Sequence, residues 1–170
     1  MNAPLMRGIT STLSEAGLAV LRFNFRGVGA SQGTWGKGML EVWDIAAAME
    51  HATTTRPAVP LGLAGWSFGA TTSLRWHLEA GSESPWAGVA PGLGGYAGST
   101  PPEPKGAHPA RRLIVLGDRD QFATVQSTEA YAAALGADVE ILPGSDHFFH
   151  FREAVVGSLL AAHFGGRAAP

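Results

Sequence analysis

"LAGWSFGATTSL", residues 63–74, reads as a short strand, a sharp turn with one serine at its tip, and the start of a helix. The pentapeptide Gly65-Trp66-Ser67-Phe68-Gly69 fits a Gly-x-Ser-x-Gly spelling, and so does "GASQG" at 29–33. At this chain's Gly and Ser frequencies, chance alone supplies about 0.2 such matches, so context must separate the two serines. A serine presented as a nucleophile needs a strand directly before it and a helix directly after it. Glycines two residues to either side let so tight a turn close without Cβ clashes. Ser67 has "LGLAG" leading in and "ATTSLRWHLEA" leading out, and the helix N-terminus aims backbone N–H groups at the turn. Ser31 is separated from its strand by several loop-forming residues and is followed by "TWGKG", so "RGVGASQG" reads as a strand-to-helix connection.

Outward from this stretch the chain alternates helix and strand. Helices are predicted at 3–16, with Asn2 as N-cap and Leu5, Ile9, Leu13 and Ala16 on one face, at 38–51, at about 69–80, at 124–135 and from about 151. The last carries Val155, Val156, Leu159, Leu160 and Phe164 on its apolar side. Strands are predicted at 18–25, 58–65, 86–91, 111–118 and 138–142. The Gly- and Pro-rich stretch 92–110 reads as a long loop. Residues 1–170 are expected to form a single α/β domain, a mostly parallel sheet of about five strands with helices on both faces. Such sheets gather ligands at the carboxyl ends of their strands.

Composition narrows the function. Hydrophobic residues make up 45% of the 170 and charged ones 15%, which suits a folded domain. The net charge of −2 with no basic block gives no electrostatic basis for binding nucleic acid. There is no cysteine, so disulfides and thiol catalysis are excluded. No apolar run reaches the ~18 residues of a membrane span, and the N-terminus lacks a secretion signal's pattern, so a cytoplasmic location is expected.

A nucleophilic serine needs a base, and the base an orienting acid. "RLIVLGDRDQF" puts Asp118 and Asp120 after one strand, and "VEILPGSDHFFH" puts Asp146, His147 and His150 after the next. Asp118 adjoins the strand end and suits a turn-holding role, so Asp120 is preferred as acid. His147 follows its strand by a short loop while His150 is expected to begin the final helix, so His147 is preferred as base, with His150 the alternative. His147 and His150 stand three apart with aspartates near, yet nothing else suggests a metal site, and neither metal nor cofactor is expected. Of the five tryptophans, Trp43 and Trp76 read as helix core, whereas Trp66 sits beside the nucleophile. Trp66 and Tyr96 are candidate pocket residues.

"LRFNFRGVGASQG", "GWSFGA", "GDRDQF" and "GSDHFF", in that order, resemble the α/β-hydrolase superfamily, most closely its small, lid-poor, dienelactone-hydrolase-like branch. The resemblance implies a serine hydrolase acting on a small-molecule carboxylic ester or related acyl bond, with Ser67 as nucleophile, Asp120 as acid and His147 as base. The N–H of Phe68 would serve the oxyanion. Members of the branch begin with a strand and a His-Gly loop placed before the helix at 3–16; that loop supplies a second oxyanion donor, and its strand lies between 18–25 and 58–65. Since this sequence starts at "MNAPLM", an N-terminally shortened fold is expected, with two ladder edges unpaired. Loss of an oxyanion donor costs ~10²–10³-fold in rate. The alternative is a non-catalytic α/β-hydrolase-like binding module or subunit, as a homo-oligomer or with a partner chain completing the sheet.

Overall fold

The computed structural model describes residues 3–93, 100–104 and 109–165. Nine elements follow in the order α1 (Pro4–Glu15), α2 (Glu41–Thr55), β1 (Leu63–Trp66), α3 (Phe68–Glu79), β2 (Trp86–Val89), β3 (Arg112–Gly117), α4 (Val125–Leu135), β4 (Asp138–Leu142) and α5 (Glu153–Phe164). The strands form one sheet in the order β1-β2-β3-β4, every pair parallel, with Leu63 opposite Trp86, Trp86 opposite Arg112 and Leu113 opposite Asp138. Parallel pairing brings all four carboxyl ends to one edge of the molecule.

Alternation along each strand divides the core in two. Ala87, Val89, Leu113 and Val115 face α1 and α5, meeting Leu5, Ile9, Leu13, Val156 and Leu160. Leu63, Trp86 and Ile114 face the other way, against Ile45 of α2, Leu74 and Leu78 of α3, and Ala132 and Leu135 of α4. Helices α1 and α5 approach closely where glycines permit it: a Cβ on Gly8 would strike the Glu153 side chain, and one on Gly157 would strike Thr12. Arg112, buried in β3, donates from Nη1 to Leu135 O at 2.8 Å and lies 3.3 Å through Nε from His77 Nε2. Trp86 Nε1 donates to Ser73 Oγ at 3.0 Å, bolting α3 to β2.

The sheet has four strands among the described residues, not about five. Residues 18–25 form no ladder, because among the described residues no strand lies along the outer edge of β1 for them to join. Leu21 is 52% exposed, and Leu21, Phe23, Phe25 and Val28 face Leu63 and Trp66 across an apolar groove of about 290 Å³. The ladder of β1 begins only at Leu63, opposite Trp86 at the start of β2, so 58–62 lie outside the sheet.

Helix α2 starts three residues later than expected. Glu41, fully buried at its first position, accepts from the Gly36 N–H at 2.6 Å and the Gly38 N–H at 2.8 Å, and so organises the turn that precedes it. Trp43 is 66% exposed rather than core, because α2 turns Val42 and Ile45 inward instead. Val155 is likewise exposed, and α5 buries Val156, Leu160 and Ala161 instead. Helix α1 is capped by Ala3 without a side-chain bond, and Asn2 lies outside the described residues.

Candidate active site

Ser67 sits between β1 and α3 with φ 52° and ψ −120°, a left-handed backbone that non-glycine residues seldom adopt. Its N–H donates to Val89 O at 2.9 Å, and Thr71 donates back to Ser67 O from its N–H at 3.1 Å. These bonds pin the strained turn to the end of β2 and to the first turn of α3. The two flanking glycines are not equivalent. A Cβ on Gly65 would collide with the Gly69 and Ala70 backbone, whereas one on Gly69 would meet only Phe25, at 3.9 Å. The turn therefore requires glycine at 65 alone, which corrects the symmetric reading of the pentapeptide.

The loop after β3 carries both aspartates. Asp118 Oδ1 accepts from the Gly144 N–H at 2.7 Å, tying this loop to the one after β4. Gly117 makes that approach feasible, since a Cβ there would strike the Ser145 backbone. Asp120 turns inward: Oδ1 accepts from the Phe122 and Ala123 N–H groups at 2.7 and 3.1 Å, leaving Oδ2 2.8 Å from His147 Nδ1. The other imidazole nitrogen, Nε2, lies 2.8 Å from Ser67 Oγ. Ser67, His147 and Asp120 thus form one continuous hydrogen-bonded chain, with the Asp120 side chain fully buried and that of His147 nearly so.

His147 is held by its surroundings as well as by its ring nitrogens. Asp146 accepts from the Phe148 and Phe149 N–H groups at 3.0 and 3.1 Å, an Asx turn that presents His147 at the loop tip. Phe149, at φ 52°, is buried in the core and anchors the far side. Around the imidazole stand Phe122, Phe148 and Trp66, with ring centroids at 4.6, 5.5 and 5.9 Å. Trp66 Nε1 also donates to the carbonyl of His147 at 3.1 Å, and the N–H of His147 points to Gln121 Oε1 at 3.4 Å. Gln121, Phe122 and Phe148 lie within the motifs "GDRDQF" and "GSDHFF", but the sequence did not signal their relation to His147, which is set by loops meeting across the sheet.

The remaining candidates fall elsewhere. His150 precedes α5 instead of starting it, and its ring stacks on Phe148 at 5.8 Å. Phe68 is the first residue of α3, where its N–H has no intrahelical acceptor and lies next to Ser67. Ser31 donates from Oγ to Asn24 O at 3.0 Å, fastening its own loop. Arg26 clasps Asp44 of α2, with Nη2 at 2.9 Å from Oδ1 and its backbone N–H at 2.9 Å from Oδ2. Burial pushes the Asp44 carboxyl up, but the hydrogen bonds and charge of Arg26 hold it below the usual carboxylate range. Tyr96 lies outside the described residues. Among the described residues no group of three or more His, Asp or Glu side chains converges as a metal site would require.

Residues 5–115 match the family model described as serine aminopeptidase, S33, a stretch running from α1 into β3 and including Ser67. The chain belongs to that family, within the α/β hydrolases. Solved structures agree. An α/β serine hydrolase homologue from Coxiella burnetii superposes with a TM-score of 0.82 at 29% identity, covering 95% of this chain and 76% of that one. An α/β serine hydrolase without a lid from Xanthomonas campestris gives 0.81 at 30% identity, covering 96% and 73%. An uncharacterized protein of Rickettsia prowazekii is 27% identical over 165 residues, covering 89% of this chain and 67% of its own length. The family and its parallel sheet are those that the four sequence motifs resembled.

Proposed function

We propose that this member of the S33 family is a serine hydrolase of carboxylic esters or related acyl bonds. The observation that carries the reading is the unbroken chain from Ser67 Oγ through both nitrogens of His147 to Asp120 Oδ2, with 2.8 Å at each step. In this reading His147 Nε2 takes the Ser67 proton as Oγ attacks the acyl carbonyl. The Phe68 N–H, at the positive end of α3, donates to the oxygen that gains charge. The tetrahedral intermediate collapses as His147 returns the proton to the leaving group. Water, deprotonated by His147, then cleaves the acyl-serine ester and restores the enzyme. Asp120 holds Nδ1 and offsets the charge that the imidazole carries in between. Neither metal nor cofactor enters this chemistry.

The reading takes residues 1–170 as one domain working in the cytoplasm on a small acyl substrate, with Trp66 beside the acyl pocket. Supporting it, no helix among the described residues is long and apolar enough to cross a membrane. A pyrococcal esterase shares the fold with a TM-score of 0.79 at 19% identity. Steady-state hydrolysis of p-nitrophenyl acetate tests the proposal. Turnover by wild type that vanishes in Ser67→Ala is expected; equal turnover by both would overturn it.

One observation favours a second reading. Among the described residues no strand pairs with the outer edge of β1, and that edge with the apolar groove beside it suits an extended apolar segment of a partner chain, added as a further strand. In that case the chain is a non-catalytic module of a larger complex. A hetero-complex with no esterase turnover supports this reading, and an active monomer in sedimentation opposes it.

A further inference from the structure

We propose that Trp66 and Gln121 are positioning residues that clamp the backbone of His147 between the nucleophile and the acid. The inference rests on the serine-hydrolase reading of the site. The two ring contacts of His147 fix the imidazole only if its Cα is held, and that Cα lies in the loop between β4 and α5. Both backbone groups of His147 are engaged: Trp66 Nε1 donates to its carbonyl at 3.1 Å, and its N–H points to Gln121 Oε1 at 3.4 Å. The first is an ordinary hydrogen bond and the second a long one, so Trp66 carries most of the restraint.

The placement of the two clamps is what gives them a function. Trp66 immediately precedes Ser67 and Gln121 immediately follows Asp120. The base is therefore tied through its main chain to the same two loops that it joins through its side chain. Trp66 is also the last residue of β1, paired in register with Val89, so its indole is mounted on the sheet. His147 is only 4% exposed, and water has little access to replace the indole N–H if it is lost. A base displaced by a fraction of an ångström from both partners loses near-attack geometry, and misplacement of about 1 Å can cost about 10²-fold in rate.

Trp66→Phe keeps an aromatic ring against His147 and Phe148 while removing the donor. Its kcat is expected to fall about 10- to 100-fold, with KM changed less than about 3-fold, since an aromatic ring is kept beside the acyl pocket. Gln121 is exposed, so Gln121→Leu leaves the fold intact, and its kcat is expected to fall about 3- to 10-fold. The double variant should lose less than the product of the two. A second readout needs no turnover: the downfield proton NMR signal of the His147 Nδ1–H held by Asp120 should broaden in both variants. Folded Trp66→Phe and Gln121→Leu proteins with wild-type kcat and an unchanged signal would overturn the clamp. A wild type without turnover would instead count against the hydrolase reading, and the NMR signal would still decide whether Trp66 positions His147.

Discussion

The backbone of Gly69 passes so close to Gly65 that any side chain at 65 would collide with it, while the space beside Gly69 is open as far as Phe25, 3.9 Å away. The two glycines of the elbow therefore respond differently to substitution. Gly65→Ala should destabilise the protein by about 1–3 kcal/mol, as overpacking does, and move Ser67 out of register. Gly69→Ala, within the first turn of α3, should leave stability unchanged or raise it by up to about 1 kcal/mol. Urea denaturation of the two variants measures the contrast, and equal losses would contradict it.

The two aspartates after β3 should separate by function. Asp120→Asn removes the carboxylate that faces Nδ1 of His147, and in comparable triads this change costs about 10⁴ in kcat. Asp118→Asn keeps an oxygen for the Gly144 N–H at an exposed position, so kcat should stay within about 3-fold of wild type. The kinetics of p-nitrophenyl acetate hydrolysis check the pair; a larger loss for Asp118→Asn would reverse the assignment.

Stability should fall on mild acidification through His163 of α5. Burial, and then the charge of Arg111, hold its imidazole below the ordinary histidine value despite opposing contacts. A group depressed on folding contributes stability that is fully present above its unfolded pKa of about 6.5, and that is lost as pH falls below it. The drop in Tm between pH 7.5 and 5.5 should be smaller in His163→Gln than in wild type. Asp44 is depressed too, but its contribution is lost only below about pH 3.9 and leaves this window clear. Equal drops in both proteins would contradict the role given to His163.

Much of this molecule is legible in one dimension because its signals are local. The strand before Ser67 and the helix after it, the apolar face of Leu5, Ile9 and Leu13, and the run from Arg112 to Gly117 all declare themselves within a dozen residues. Residues 18–25 carry the same β-forming composition, yet they form no ladder, since a strand needs a neighbour and composition cannot provide one. Trp43 misled for a related reason: a helix buries whichever face meets its neighbours, and Val42 and Ile45 occupy it. Gln121 and Phe122 were invisible as neighbours of His147, because contacts across 25 or more residues arise only where loops converge at the carboxyl edge of the sheet. The asymmetry between Gly65 and Gly69 belongs to the same class, being a matter of which backbone passes over which Cα.

The central claim is that Ser67 is a nucleophile activated by His147, and covalent labelling tests it most directly. A fluorophosphonate probe should label the wild-type protein and Ser31→Ala alike, label His147→Gln far more slowly, and leave Ser67→Ala unlabelled. Mass spectrometry should place the adduct on the peptide containing Ser67. An unlabelled wild type, or label retained in Ser67→Ala, would contradict the account.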